Sequence, residues 1–475
     1  MPTTQLPLAK GLGKDYRNAD YVDLLPVNML ATPKEVLNAD GYLRSFPGVA
    51  KRSDVAGTSR GAEFNTVQNL VYRVAGSKIY KGTEERGEVT GGDRVSMAHS
   101  ATSQAVAANG VMMLYRYDGT IKTLENWPES VGGVDYAQYD IGSVRDICRA
   151  RGRYVWVKDG TQTFGVTDLE DESHPDRFRP FYSAESQPDG IIGCGIWRDF
   201  VVMFGSSTIE YFSLTGATDS TSAIYVSQPS LMVQKGIAGT YCKTEFGDAF
   251  AFISHQATGA PSIYLINSGQ ATAIATSTVE KVLRSYTAEE LATGVMETVR
   301  FDSHELLLVH LPRHVLCYDA AAGQNGPQWC ILKTGLFDDA HRAIDYVFEG
   351  NQITAGDKLE PVVGALQFDS SAQYDKQTEH LLFTPMFKAN NARVFDFELE
   401  AATGVSQYAE RLFISSTADG SNYGREQMID ANAPFAYDKR VLWRRLGRVR
   451  KNIGFKVRVI TRSPVTLSDC SVRIE

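Results

Sequence analysis

The chain has little cysteine, and none of it is arranged for chemistry. Cys148, Cys194, Cys242, Cys317, Cys330 and Cys470 stand far apart, with no CxxC pair and no Cys/His pairing at zinc-finger spacing. That pattern excludes a zinc ribbon and predicts reduced thiols in a cytoplasmic product. No run of about twenty apolar residues is present to span a bilayer, and the N-terminal MPTTQLPLAKGLGKDYRNADY lacks the apolar stretch of a secretory signal or any lipid-anchor motif. GxSxG and HExxH are missing, and GLGKDY at Gly11 to Tyr16 lacks the spacing of a phosphate-binding loop. The eight histidines are scattered. His310 and His314 share a face only on a helix, which Pro312 between them forbids. No catalytic residue, cofactor or metal site is predicted.

Helical signals are also sparse. ATPKEVLNADG reads as a short helix with Thr32 as cap, Pro33 first, Glu35 closing a capping box and Gly41 as the stop, and Thr287 with Glu290 forms a second box. What dominates instead is the β-hairpin. Short β-branched or aromatic strands flank turns at Gly76, Asp118-Gly119, Asp159-Gly160, Gly205, Thr258-Gly259, Pro312-Arg313 and Gly356-Asp357. Their spacing of roughly 40 to 55 residues matches one four-stranded propeller blade per repeat. A β-sandwich gives hairpins too, but a closed ring protects the strand edges that a long all-β chain must otherwise blunt.

After Thr384 the period breaks, and NARVFDFELEAATG, ERLFISSTADGSNYG, VLWRRLGRVR, GFKVRVITRS and VTLSDCSVRIE read as strands of a compact second β domain. Phe455, Val457 and Val459 alternate with Lys456, Arg458 and Ile460, an apolar face against a mostly basic one. The expected architecture is all-β: an extended N-terminal arm over residues 1–60, a β-propeller of about seven blades over 61–383, and a sandwich-like C-terminal domain over 384–475. Part of the arm is a candidate for the strand that closes the propeller.

Charge is unevenly spread. Ten basic residues and no acidic one lie between Lys439 and Arg462, so a net charge of −8 leaves the remainder near −18. Lys439, Arg440, Arg444, Arg445, Arg448, Arg450 and Lys451 mark a candidate surface facing either a subunit or DNA phosphates. With no base-reading helix or stacking platform beside it, a protein interface is favoured. The opposite sign gathers in TDLEDESHPDRF, Thr167 to Phe178, where Asp168, Glu170, Asp171 and Glu172 crowd together. An EF-hand loop started at Asp168 would need Gly and Glu where Ser173 and Arg179 stand. Facing catalytic carboxylates would need a cleft that so short a segment cannot make. The loop is therefore expected to meet solvent or a basic interface.

Long stretches, taken together, carry a resemblance. KGLGKDYRNADYVDLLPVNMLATPKEVLNADGYLRSFPGV, WRDFVVMFGSSTIEYFSLTGAT, YVSQPSLMVQKGIAGTYCKT and YDKRVLWRRLGRVRKNIGFKVRVITRSPVTLS, among others over essentially the whole chain, resemble the packaged-DNA stabilisation proteins of short-tailed phages of enteric bacteria, also called tail hub or head-completion proteins. The resemblance implies a late virion component. It implies a homohexamer below the portal and its adaptor ring that seals packaged DNA, seats the tail needle and tailspikes, and lines part of the ejection conduit for double-stranded DNA. It carries no catalytic residues. The competing expectation is a propeller that binds or cleaves cell-surface glycan.

Overall fold

The computed structural model describes residues 3–6, 8, 11–16, 19–36, 39, 41–128, 139–184, 186–216, 223–323, 328–431 and 433–475. Among them, seven four-stranded sheets follow one another along the chain, beginning with the strands Ser59–Asn65, Ser96–His99, Val144–Ala150, Ile191–Trp197, Lys243–Phe246, Val295–Phe301 and Ala343–Glu349. They are numbered here as blades 1 to 7. Six use strands consecutive in sequence. The seventh takes its last strand, Gly48–Asp54, from the N-terminal side.

Most of the marked turns fall where the hairpins need them. Gly76, Gly119 and Gly160 sit between strands at φ +57°, +107° and +69°, which a residue without Cβ adopts without strain. The last turn lies further on than the sequence suggests. Gly356 and Asp357 end the strand Gln352–Asp357, and the chain reverses after them because the Asp357 carboxylate accepts the amides of Leu359 and Glu360 at 2.7 and 2.9 Å.

By contacts the chain divides into two compact units, one of residues 53–297 and 343–363, the other of residues 1–52, 298–342 and 364–475. In the first, neighbouring blades bury their apolar faces together. Tyr72, Val74 and Ile79 pack with Val106 and Tyr115, Leu114 with Tyr154 and Trp156, and Tyr211 with Phe250 and Phe252. Two short helices, Ser277–Leu283 and Ala288–Ala292, follow blade 5. The second opens with the capping box read from Thr287 and Glu290, both reciprocal bonds being made.

The second unit holds a β-sandwich. One sheet runs in the order Val441–Val449, Ala392–Ala401, Thr466–Ile474, Tyr42–Ser45, Met29–Thr32, with Thr3–Leu6 also pairing on Thr466–Ile474. The other runs Thr378–Phe383, Asn452–Thr461, Glu410–Thr417, Gln427–Ala431. Phe397 and Trp443 from the first meet Leu412, Phe455 and Val457 from the second in one core, with 4.9 Å between the Phe397 and Phe455 ring centroids. The alternation from Phe455 to Ile460 is realised, with Phe455, Val457 and Val459 buried and their neighbours half-buried. The arm is thus not free. Its strands are sheet members, and the helix expected after Thr32 does not form among the described residues. Thr32 ends a strand, and Val36 and Ala39 exchange backbone hydrogen bonds.

Candidate interaction surfaces

The acidic segment connects the third and fourth strands of blade 3, Thr163–Val166 and Phe181–Ser183. Its shape is set by its own backbone and aromatic contacts. The Asp168 amide donates to the His174 carbonyl and the His174 amide to that of Asp171. The His174 ring stacks on Trp127 at 4.3 Å, its Nδ1 donates to the Glu125 carbonyl, and the Trp127 indole N–H donates to the Pro175 carbonyl. Arg177 lies over the other ring system of this clasp, 4.5 Å from Trp127.

Within that frame the acids are paired by cations of the same unit. Asp171 meets Arg116 at 2.8 Å and Lys122 at 3.4 Å; Glu172 meets Arg149 at 2.7 Å; Arg177 reaches Asp168 at 3.5 Å and Glu170 at 2.9 Å. One Glu172 oxygen also accepts from the hydroxyls of Ser100, Thr102 and Ser103 at 2.8 to 2.9 Å. Burial pushes the Asp171 carboxyl up, but the Ser173 hydroxyl and amide and the nearby Lys122 outweigh it and bring it down to about 2. Glu172 follows the same balance: burial opposes ionisation, and Arg149 with the serine hydroxyls overcomes it, so the group is held below its ordinary value. Only Glu170 keeps an exposed carboxylate, at 76%. The four candidate acids are therefore brought together: Asp171 and Glu172 tie the loop to blade 2, while Asp168 and Glu170 close on Arg177 within the loop. Sequence alone could not show this, because Arg116, Lys122 and Arg149 lie on strands distant along the chain.

The basic run belongs to the sandwich, and it splits in two. Arg440 makes a two-pronged pair with Glu398 at 2.6 and 2.7 Å; Arg458 and Lys456 share Glu426, and Arg458 also lies 3.7 Å from Glu379 and covers the Phe413 ring. Arg444, Arg445, Arg448, Arg450 and Lys451 are exposed, and among the described residues none of them enters an ion pair. Lys439, beside them, is half-buried.

Local geometry explains the exposure. The strand Val441–Val449 pairs with Ala392–Ala401, but its register slips: Asp396 faces Arg444 while Val394 faces Gly447. This bulge carries Arg445 at φ +60° and Gly447 at φ +105°, and it turns Arg444 and Arg445 outward together. A strict alternation would have buried one of them.

Fold and surfaces define the class: an all-β protein, a seven-sheet propeller with a C-terminal sandwich, bearing an internally neutralised acidic loop and an exposed basic strand edge. The chain belongs to the phage stabilisation family described as Bacteriophage P22 Gp10, whose β-propeller model matches residues 4–371 and whose β-sandwich model matches residues 379–475. It is 70% identical to the "Tail hub protein gp10" of Salmonella phage P22 over 475 residues, covering 100% of both chains. Solved structures overlap it loosely. The exo-β-1,3-galactanase of Phanerochaete chrysosporium aligns with 80% of this chain and 97% of its own at 7% identity and a TM-score of 0.28. Hsv2 of Kluyvelomyces marxianus aligns with 55% and 79% at 11% and 0.30. Likeness at that level carries no functional argument.

Proposed function

We propose that the chain is a structural component of the virion tail hub, built in the host cytoplasm, that docks below the portal and its adaptor ring as a homohexamer. In this reading it seals and stabilises packaged DNA, seats the tail needle and tailspikes, and forms part of the path for genome ejection without acting on DNA sequence. The observation that supports it is the 70% identity, end to end, with a tail hub protein. A ring of identical subunits needs two different, complementary surfaces on each copy. The exposed set Arg444, Arg445, Arg448, Arg450 and Lys451, with Lys439 and Arg440, supplies one basic surface of that kind. Asp168, Asp171 and Glu172 are proposed as internal ties, which leaves Glu170 as the acid of that loop available to a neighbour.

The test is sedimentation of purified protein with portal particles. Binding to adaptor-loaded particles but not to portal alone is expected; failure to bind the loaded particles overturns the reading. Release of oligosaccharide from host surface glycan would overturn the non-enzymatic assignment instead.

A further inference from the structure

The five exposed cations lie on and just after the strand Val441–Val449, and that strand ends its sheet. Its pairing with Ala392–Ala401 uses one edge. Among the described residues, Val441–Arg448 make no backbone hydrogen bond outside that pairing, so the other edge offers unpaired N–H and C=O groups. At one end Trp443 anchors the strand, buried and donating its indole N–H to the Gln427 carbonyl. From Arg444 onward the edge is open, with Arg444, Arg445, Gly447, Arg448 and Arg450 all exposed.

We infer that this edge is a docking strand for an extended acidic segment of a partner protein, which adds to the sheet beside Arg444–Arg448 and places carboxylates against the arginines. Backbone hydrogen bonds on either side of the bulge at Arg445 and Gly447 give the partner a register, and opposite charges across neighbouring strands give it selectivity. Charge on an edge strand also discourages pairing of two copies of the same edge, since like charges would face each other. The same charge invites a strand of opposite sign. The cations run along a single edge, which matches an extended peptide better than the two-sided phosphate track of a duplex. The strongly acidic remainder of the chain further disfavours a long polyanion.

This inference rests on the hub reading only for the existence of a partner. The probe is a short peptide of alternating Glu and Val, with the same peptide N-methylated on alternate backbone nitrogens and a short DNA duplex as comparisons, each titrated into the full chain. The expected result is saturable binding of the unmethylated peptide, weakened by salt, and lowered about tenfold or more by Arg444→Glu with Arg448→Glu. Both positions are exposed and, among the described residues, outside any ion pair, and their ladder neighbours Asp396 and Arg393 offset one another in charge, so the melting midpoint of the double variant should stay close to that of the parent. Equal binding of the N-methylated peptide, tighter binding of the duplex, or no effect of the double variant would each overturn the assignment. Docking to loaded particles is scored separately. Docking without peptide binding overturns the edge and leaves the hub reading standing; peptide binding without docking does the reverse.

Discussion

Asn28 shows how much a single side chain can hold. It is buried at φ +54°, a left-handed conformation that Asn tolerates better than most residues. Its side-chain N–H donates to the Glu379 carbonyl at 2.8 Å and its side-chain oxygen accepts the Lys333 amide at 2.9 Å, while its own amide donates to the Ile331 carbonyl. One residue of the arm therefore joins a strand of blade 6 to the sandwich strand Thr378–Phe383, all within the same unit. Asn28→Ala leaves one buried and one part-buried backbone group unsatisfied and adds strain, so it should cost about 3 kcal/mol in denaturant unfolding. Asn28→Gly should recover about 1 kcal/mol of that by removing the strain alone. Beside it, His380 donates from Nδ1 to the Asn28 carbonyl at 3.1 Å, and its Nε2 is buried with no partner among the described residues. Burial holds this imidazole down, at about 4, against the weaker upward pull of that hydrogen bond. The unfolded chain thus binds a proton that the folded chain refuses between about pH 6.5 and pH 4, and stability should fall by about 3 kcal/mol as pH drops through that window. His380→Gln should flatten this part of the pH profile of unfolding; an unchanged slope would show that other groups carry it.

At the scale of elements, the acidic loop makes the sharpest distinction between what a sequence displays and what a fold does with it. Glu172 is 12% exposed and bonded to Arg149 and three hydroxyls, whereas Glu170 is 76% exposed and, among the described residues, paired only with Arg177. Glu172→Lys should destabilise by about 3 to 5 kcal/mol, because it breaks a largely buried pair and sets a cation beside Arg149. Glu170→Lys should shift stability by no more than about 1 kcal/mol. Only the second variant can therefore report on assembly without first damaging the fold, and a denaturant midpoint measured on each checks the difference. The hairpins around Gly76, Gly119 and Gly160 were legible because turn chemistry and period-two alternation are local signals. So were the Thr287 capping box and the strands after Ala392. The Thr32 box misled because its local preference was weaker than the pairing of Met29–Thr32 with Tyr42–Ser45, a tertiary gain that no window of sequence contains. The basic edge was legible as charge. Its division into paired and unpaired halves was not, since Glu398, Glu426 and Glu379 are brought to it by strand order, and the bulge at Arg445 leaves no mark in composition.

At the scale of the whole chain, the units are interleaved in sequence: residues 53–297 and 343–363 form one, while the other gathers three separate segments from the two ends and the middle. The second unit can close only after segments hundreds of residues apart have met, and such non-local pairing is slow because the loop entropy must be lost before the contacts form. Thr3–Leu6 pairing with Thr466–Ile474 is the extreme case. The cysteines offer a readout of each unit, since Cys148, Cys194 and Cys242 belong to the first and Cys317, Cys330 and Cys470 to the second, and all six are buried and free. Burial pushes the thiols of Cys194, Cys317 and Cys470 up and that of Cys242 up to about 12, so these groups stay protonated and inert to alkylation until their surroundings open. Pulse alkylation along a refolding time course, read by peptide mass, should show Cys148, Cys194 and Cys242 becoming protected together, ahead of Cys470. Cys470 should be the last of the six, because it sits on the strand that must receive both Ala392–Ala401 and the N-terminal Thr3–Leu6. Protection of all six in a single phase would mean instead that the chain folds as one cooperative body, and a Leu6→Ala variant that left the Cys470 phase unchanged would remove the N-terminal strand from the closing step.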